Sequence, residues 1–171
     1  MKAFRFFIAA ATALMLCPAA ALNARSRKEI SPLAEKAASQ HELCIEIGTI
    51  CPMGMPSFTT TDGYKFTVKD GKVNADLPFF GESYTAIIPG ADNPGILFKD
   101  CEIDIREDYS KAKKKGKFLW QFSAYSGTDR VDVTVTFWDN GSADITCVST
   151  SRSSISYMGE LVELPSENGK Q

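Results

Sequence analysis

Two stretches of the chain alternate apolar and polar residues with a period of two, and they set the reading of the rest. Tyr64-Lys65-Phe66-Thr67-Val68-Lys69 and Lys72-Val73-Asn74-Ala75-Asp76-Leu77 flank Asp70-Gly71. Such alternation marks half-buried strands, and Asp-Gly supplies the two positive φ angles of a tight hairpin turn. With Lys69 opposite Lys72, Val68 meets Val73, Phe66 meets Ala75 and Tyr64 meets Leu77 on one face. Lys65 with Asp76 and Thr67 with Asn74 then share the other face.

The second hairpin spans Arg130 to Ser149, where Val131, Val133, Val135 and Phe137 alternate with Asp132, Thr134, Thr136 and Trp138. A two-residue Asn140-Gly141 turn would put Asp144 on the apolar face, opposite Phe137. A three-residue loop, Asp139-Asn140-Gly141 with Gly141 left-handed, sets Phe137 against Ala143, Val135 against Ile145 and Val133 against Cys147. A slip of one residue flips every side chain, so the pattern selects the bulged loop and points Cys147 inward.

Elsewhere the signals are shorter. Ile30 to Ala38 reads as a helix, with Ser31 at the N-cap and Pro32 in the first turn; Leu33, Ala34, Ala37 and Ala38 form its apolar face. Strands are expected over Leu43–Cys51, Ser83–Ile88, Ile96–Phe98, Cys101–Arg106 and Phe118–Ala124, with a last short one at Ile155–Gly159. Apolar parity shifts between Ile96–Phe98 and Cys101–Arg106, so Lys99-Asp100 is expected to hold a bulge or a turn. Eight to ten short antiparallel strands after one helix predict a mainly β domain. The first expectation is a lipocalin-like barrel or strongly curved sheet, because an open sheet of this size leaves edges exposed; a two-sheet sandwich comes second.

Composition changes this picture at the N-terminus. Lys2 and Arg5 precede an apolar run of 11 residues, Phe6 to Leu16, and then Pro18-Ala19-Ala20-Ala21. This is the pattern of a secretory signal peptide, too short for a transmembrane helix, with cleavage after Ala21 or Ala24. Leu16 precedes Cys17 where a lipid-modified cysteine would follow a small residue, so a soluble export signal is preferred to a lipid anchor. Residues 25–164 are then a single β domain and 165–171 a polar tail. Without Lys2 and Arg5 the chain has 17 basic against 21 acidic residues, a net charge of −4. That gives no electrostatic footprint for nucleic acid, and no later stretch has transmembrane length.

Export makes the four remaining cysteines, Cys44, Cys51, Cys101 and Cys147, candidates for disulfides, with three connectivities open. On one straight strand Cys44 and Cys51 would lie about 23 Å apart at about 3.3 Å per residue, beyond bridging reach, so that pair is the least expected. No pair has the short spacing of a structural zinc site, and neither metal nor cofactor is expected.

The connection Leu77-Pro78-Phe79-Phe80-Gly81-Glu82-Ser83-Tyr84 joins two strand-like runs but carries adjacent phenylalanines at its tip. Connections normally run over the surface and are polar. These rings either plug a core or line a binding site. Leu77-Pro78-Phe79-Phe80-Gly81, Asn140-Gly141 before a strand, and Ile155-Ser156-Tyr157-Met158-Gly159 together resemble an uncharacterised family of exported bacterial envelope proteins. That family is known only as a domain of unknown function, with Leu-Pro-Tyr-Phe-Gly and Ile-Ser-Tyr-x-Gly signatures. Phe79 stands where the family usually has tyrosine, and the four cysteines are not part of the signature. The resemblance implies a small antiparallel β domain of lipocalin-like topology in the cell envelope, and no activity or catalytic residue.

Candidate chemistry is thin. His41, the only histidine, lies three residues before Cys44, but a Cys–His nucleophile needs a thiolate held beside its base, and helix capping explains the histidine as well. Glu102 and Asp104 share the polar side of a strand, as solvated carboxylates do, although paired carboxylates also hydrolyse glycosides at suitable separations. Lys111 to Lys117 carries five lysines beside Glu102, Asp104, Glu107 and Asp108, which fits a solvated loop. Phe98 and Phe122 read as core. Phe79, Phe80, Tyr84, Trp138 and Tyr157 are the candidate ligand-binding residues. The leading expectation is a non-catalytic envelope protein that binds a small apolar ligand or an extended peptide near Leu77–Tyr84, with a cavity behind Phe79 and Phe80. The alternative is a structural or interaction protein with a filled core and an exposed apolar patch, acting through a protein partner in the envelope.

Overall fold

A computed structural model describes residues 30–84 and 95–165. The expected export segment, the end of the polar tail and all of Ser83–Ile88 beyond Tyr84 lie outside the described residues. The elements run α1 (Pro32–Gln40), β1 (Leu43–Pro52), β2 (Phe58–Thr59), β3 (Lys65–Lys69), β4 (Lys72–Leu77), β5 (Ile96–Glu102), β6 (Arg106–Asp108), α2 (Ala112–Lys115), β7 (Lys117–Ser126), β8 (Asp129–Trp138), β9 (Ser142–Ser149) and β10 (Ile155–Val162).

The fold is mainly β: one antiparallel sheet curved into a half-barrel, with the N-terminal helix at one end. Nine strands follow the order β5-β4-β3-β1-β10-β9-β8-β7-β6, and the two-residue β2 joins the side of β1. The sheet curls until β5 packs beside β7, where no ladder joins them among the described residues. Side chains bridge this seam instead. The Leu97 N–H donates to Ser126 Oγ (3.0 Å) and the Cys101 thiol to the Tyr125 carbonyl (3.5 Å).

Both hairpins take the register that their alternation dictates. Phe66 faces Ala75 and Val68 faces Val73, around Asp70 and Gly71 with φ of 52° and 70°. Phe137 faces Ala143, Val135 faces Ile145 and Val133 faces Cys147, around a loop whose Gly141 is left-handed. The parity shift at Lys99-Asp100 is a bulge within one continuous β5. Asp100 takes a φ of 47°, and its main-chain N–H donates to the Asn74 side chain (2.8 Å). Four details differ from the sequence reading. The strand expected over Cys101–Arg106 is not continuous: β5 ends at Glu102, and Arg106 opens β6. β2 escapes it because two residues carry no period. Part of the lysine run winds into α2 and ends at left-handed Gly116. β10 runs on to Val162 because its partner β1 is ten residues long.

Large aromatic side chains pack inside the curl. Trp120, Tyr157, Phe66, Phe98 and Phe137 are among the largest fully buried side chains. Phe118 stacks on Phe137 at 5.0 Å and Trp120 meets the same ring edge-on at 5.2 Å, geometries that add about 0.5–1.5 kcal/mol per pair beyond burial. Helix α1 covers one end through Ala34 and Ala37, both fully buried; small residues let it lie close. The Tyr109 hydroxyl fastens it by donating to the Ala38 carbonyl (3.4 Å) while accepting from Trp120 Nε1 (2.8 Å).

The cysteines correct one expectation: none of the four is in a disulfide. Cys44, fully buried, and Cys51, half-buried, lie seven residues apart on the same extended strand. Cys147 points inward on β9, two strands away from β1. Cys101 sits on β5, three strands from β1 on the other side. A bridge has to bring Cα atoms within about 7 Å, and neither the separation along β1 nor the strand spacing allows it.

Candidate functional site

The connection after β4 is held from below and exposed above. Successive residues of an extended chain point to opposite sides, which separates the two phenylalanines. Phe79 turns into the core, 8% exposed, while Phe80 stays 40% exposed. The two sequence motifs meet here, since the buried Tyr157 hydroxyl donates to the Pro78 carbonyl at 2.8 Å. Both motif glycines sit where a side chain has no room. A Cβ at Gly81 would collide with Ser153 Oγ, and one at Gly159 with the Glu46 carbonyl.

The link between β9 and β10 fastens the connection further. The Glu82 N–H donates to Ser153 Oγ (3.0 Å), the Ser153 N–H to the Glu82 carbonyl (2.9 Å) and the Tyr84 N–H to the Ser151 carbonyl (2.8 Å). Arg152 lies between them, its guanidinium 5.0 Å from the centre of the Phe79 ring and its Nε 3.0 Å from Asp129 Oδ2. The Ser149 hydroxyl donates to the other Asp129 oxygen (2.6 Å). This ion pair is nearly buried and clamps Phe79 in place.

On the outside, Phe80 meets Phe58 edge-on, ring centres 5.0 Å apart. Met53, Met55 and Tyr84 are also exposed, and Met53 is tied to Ser154, the far side of the same β9–β10 link, through its N–H (3.2 Å) and sulfur (3.3 Å). The Pro52–Phe58 segment and the Leu77–Tyr84 connection thus form one apolar rim at the end opposite α1. The sequence reading missed Met53, Met55 and Phe58. Their signal was present in Pro52-Met53-Gly54-Met55-Pro56, where a strand ender carries two large apolar side chains.

Of the five candidate binding residues, Phe80 and Tyr84 lie on this rim and Phe79 and Tyr157 lie beneath it. Trp138 does not join them. It ends β8, which runs antiparallel to the strands that reach the rim, so it stands at the α1 end, 6.0 Å from Lys117 Nζ.

The other candidate groups are dispersed. His41 is the left-handed C-cap of α1, its N–H bonded to the Ala37 carbonyl (3.0 Å), and its Nε2 pairs with Glu107. Cys44 has a different partner, the Thr67 hydroxyl at 3.5 Å. Glu102 stands opposite Lys72, and Asp104 is exposed. Among the described residues no group of three or more His, Cys, Asp or Glu could hold a metal. Burial pushes the Cys147 thiol up to about 12, so it stays protonated; burial likewise raises the Tyr157 hydroxyl, and Tyr109 to about 12. Cys147 and Tyr157 are packed inside and Tyr109 holds α1, so none of these groups is poised in a cleft for acid–base work.

The sequence model of one family, described as Domain of unknown function (DUF4251), matches residues 29–161. The chain belongs to that family. The match takes in α1, the whole Leu77–Tyr84 connection and the Ile155–Gly159 motif, so the contact of Tyr157 with Pro78 lies within it. No curated protein matches the chain. No helix among the described residues is long and apolar enough to cross a membrane.

Proposed function

We propose that this member of the DUF4251 family is an exported, non-catalytic binding protein that engages a protein partner through the apolar rim. One observation carries the reading. Of nine large apolar side chains exposed among the described residues, five (Met53, Met55, Phe58, Phe80 and Tyr84) come from the two segments of that rim. Exposed apolar surface gathered in one place marks an interaction site more often than scattered exposure does. The burial of Phe79 and Tyr157 beneath the rim, with Trp120 and Phe66 packed inside the curl, favours a surface contact over a small ligand held inside. Residues 1–21 act as the export signal in this reading.

Site-specific photo-cross-linking in the producing cell tests it. A photoreactive phenylalanine analogue replaces Phe58, Phe80 or Tyr84 in turn, with Met158, exposed on the outer face of β10, as the control position. The expected result is a shared high-mass adduct from the three rim positions and none from position 158. Adducts of equal yield at all four positions, or none at the rim, would refute the reading.

A further inference from the structure

We infer that the rim binds its partner as an extended peptide, which adds to the sheet along the free edge of β2. This rests on the rim being the contact surface and names what occupies it.

The ladder geometry orients the edge. Thr49 faces Thr59 and Ile50 faces Phe58, and the Thr60 N–H donates to the Gly48 carbonyl at 3.0 Å. In an antiparallel pair, main-chain groups alternate between the neighbouring strand and the opposite side. Phe58 and Thr60 therefore turn their N–H and C=O toward β1, and Thr59 turns both away from it. Among the described residues β2 pairs with β1 alone. A free donor and acceptor on one residue is the half-ladder that a second strand completes.

The sheet guards its other edges. β6 is three exposed charged residues, Arg106-Glu107-Asp108, which deters strand addition. β5 is covered by β7, with Ser126 occupying the Leu97 N–H. By contrast Phe58-Thr59-Thr60-Thr61 carries no charge, and among the described residues no strand pairs with its outer side. The groove beside it is about 210 Å³, and its lining includes Phe58, Thr59, Tyr64, Pro78 and Phe80, with Asp62 the one charged side chain. Small-molecule pockets begin at about 300 Å³, so this space suits one side chain of an incoming strand. Peptides that add to a sheet edge take affinity from main-chain bonds and specificity from alternate side chains in such pockets.

The test selects binders from a random dodecapeptide display library against the intact protein. The selected peptides are then measured against Thr59→Pro, Thr59→Val and Phe80→Ala. Proline removes an N–H that the β1 ladder does not use and is tolerated on strand edges. Thr59→Pro is expected to weaken binding about tenfold, and Thr59→Val by less than about twofold. N-methylation of the peptide one residue at a time requires no change to the protein, and losses at alternate positions are the expected result. Binders that lose affinity on Phe80→Ala but show no alternation would overturn strand addition while leaving the rim as the contact surface. Binders indifferent to both Thr59→Pro and Phe80→Ala would overturn strand addition together with the role of the rim.

Discussion

Replacing Arg152 with methionine removes one charge and keeps most of the stem that lies over Phe79. The side chains of Arg152 and Asp129 are 13% and 10% exposed, so the abandoned carboxylate has little access to water. Removing one partner of a buried pair costs about 3–5 kcal/mol, because the other charge stays buried and unpaired. Loss of the cation over the Phe79 ring adds about 0.5–2 kcal/mol; retention of the Ser149 hydroxyl on Asp129 offsets part of the cost. A net loss of about 3–4 kcal/mol is then expected, a large part of a typical domain stability of about 5–15 kcal/mol. Urea unfolding at neutral pH reads it as a lowered midpoint with the slope unchanged. The Asp129→Asn/Arg152→Met double variant should be less destabilised than the two single losses added together. Amide exchange at Tyr84 and Ser153 should quicken, since those bonds join the two segments that Arg152 clamps. A single variant within about 1 kcal/mol of the wild type, or a strictly additive double variant, would refute the clamp.

Thiol titration of the unfolded protein without reductant should count all four domain cysteines, and Cys147 should be unreactive in the native state because burial keeps it a thiol. A need for prior reduction would mean that a disulfide exists after all. Alkaline titration follows the tyrosines through phenolate absorbance. Tyr109 and Tyr157 are raised above the ordinary value of 10, so the unfolded chain releases these protons first and stability falls as pH climbs from about 10 towards 12. Simultaneous titration of all five tyrosines near 10 in the folded protein would contradict their burial.

Local chemistry made the hairpins legible. Asp70-Gly71 and Asp139-Asn140-Gly141 announce their turns, and alternation leaves one register that buries Val68 and Phe137. The same parity turned Cys147 inward before any fold was known. What stayed hidden depends on strands distant in sequence. The insertion of β1 between β3 and β10 decides which loops share an end, so Trp138 could not be separated from Phe80 by pattern alone. The split between Phe79 and Phe80 follows from ordinary alternation, but only Tyr157 and Arg152, more than 70 residues away, determine which ring goes inside. The cysteines misled because the export signal read from residues 1–21 suggests pairing, whereas their positions, far apart on β1 or on separate strands, forbid it.

Among the described residues the first and last strands, β1 and β10, are each other's neighbours, with Cys44 opposite Val162 at their outer ends. Ser31, just before α1, and Leu161, near the end of β10, both reach one turn, where the Ser31 N–H bonds to the Asp139 carbonyl and the Leu161 N–H to the Gly141 carbonyl, both at 2.7 Å. Traction between the two ends of the domain therefore bears on that turn and then on a single rung of the β1–β10 ladder. The rungs part in succession, as in a zipper, instead of sharing the load as they would in shear. Pulled by its ends, the sheet opens through its middle, between the strand that precedes the rim's first segment and the one that carries Tyr157.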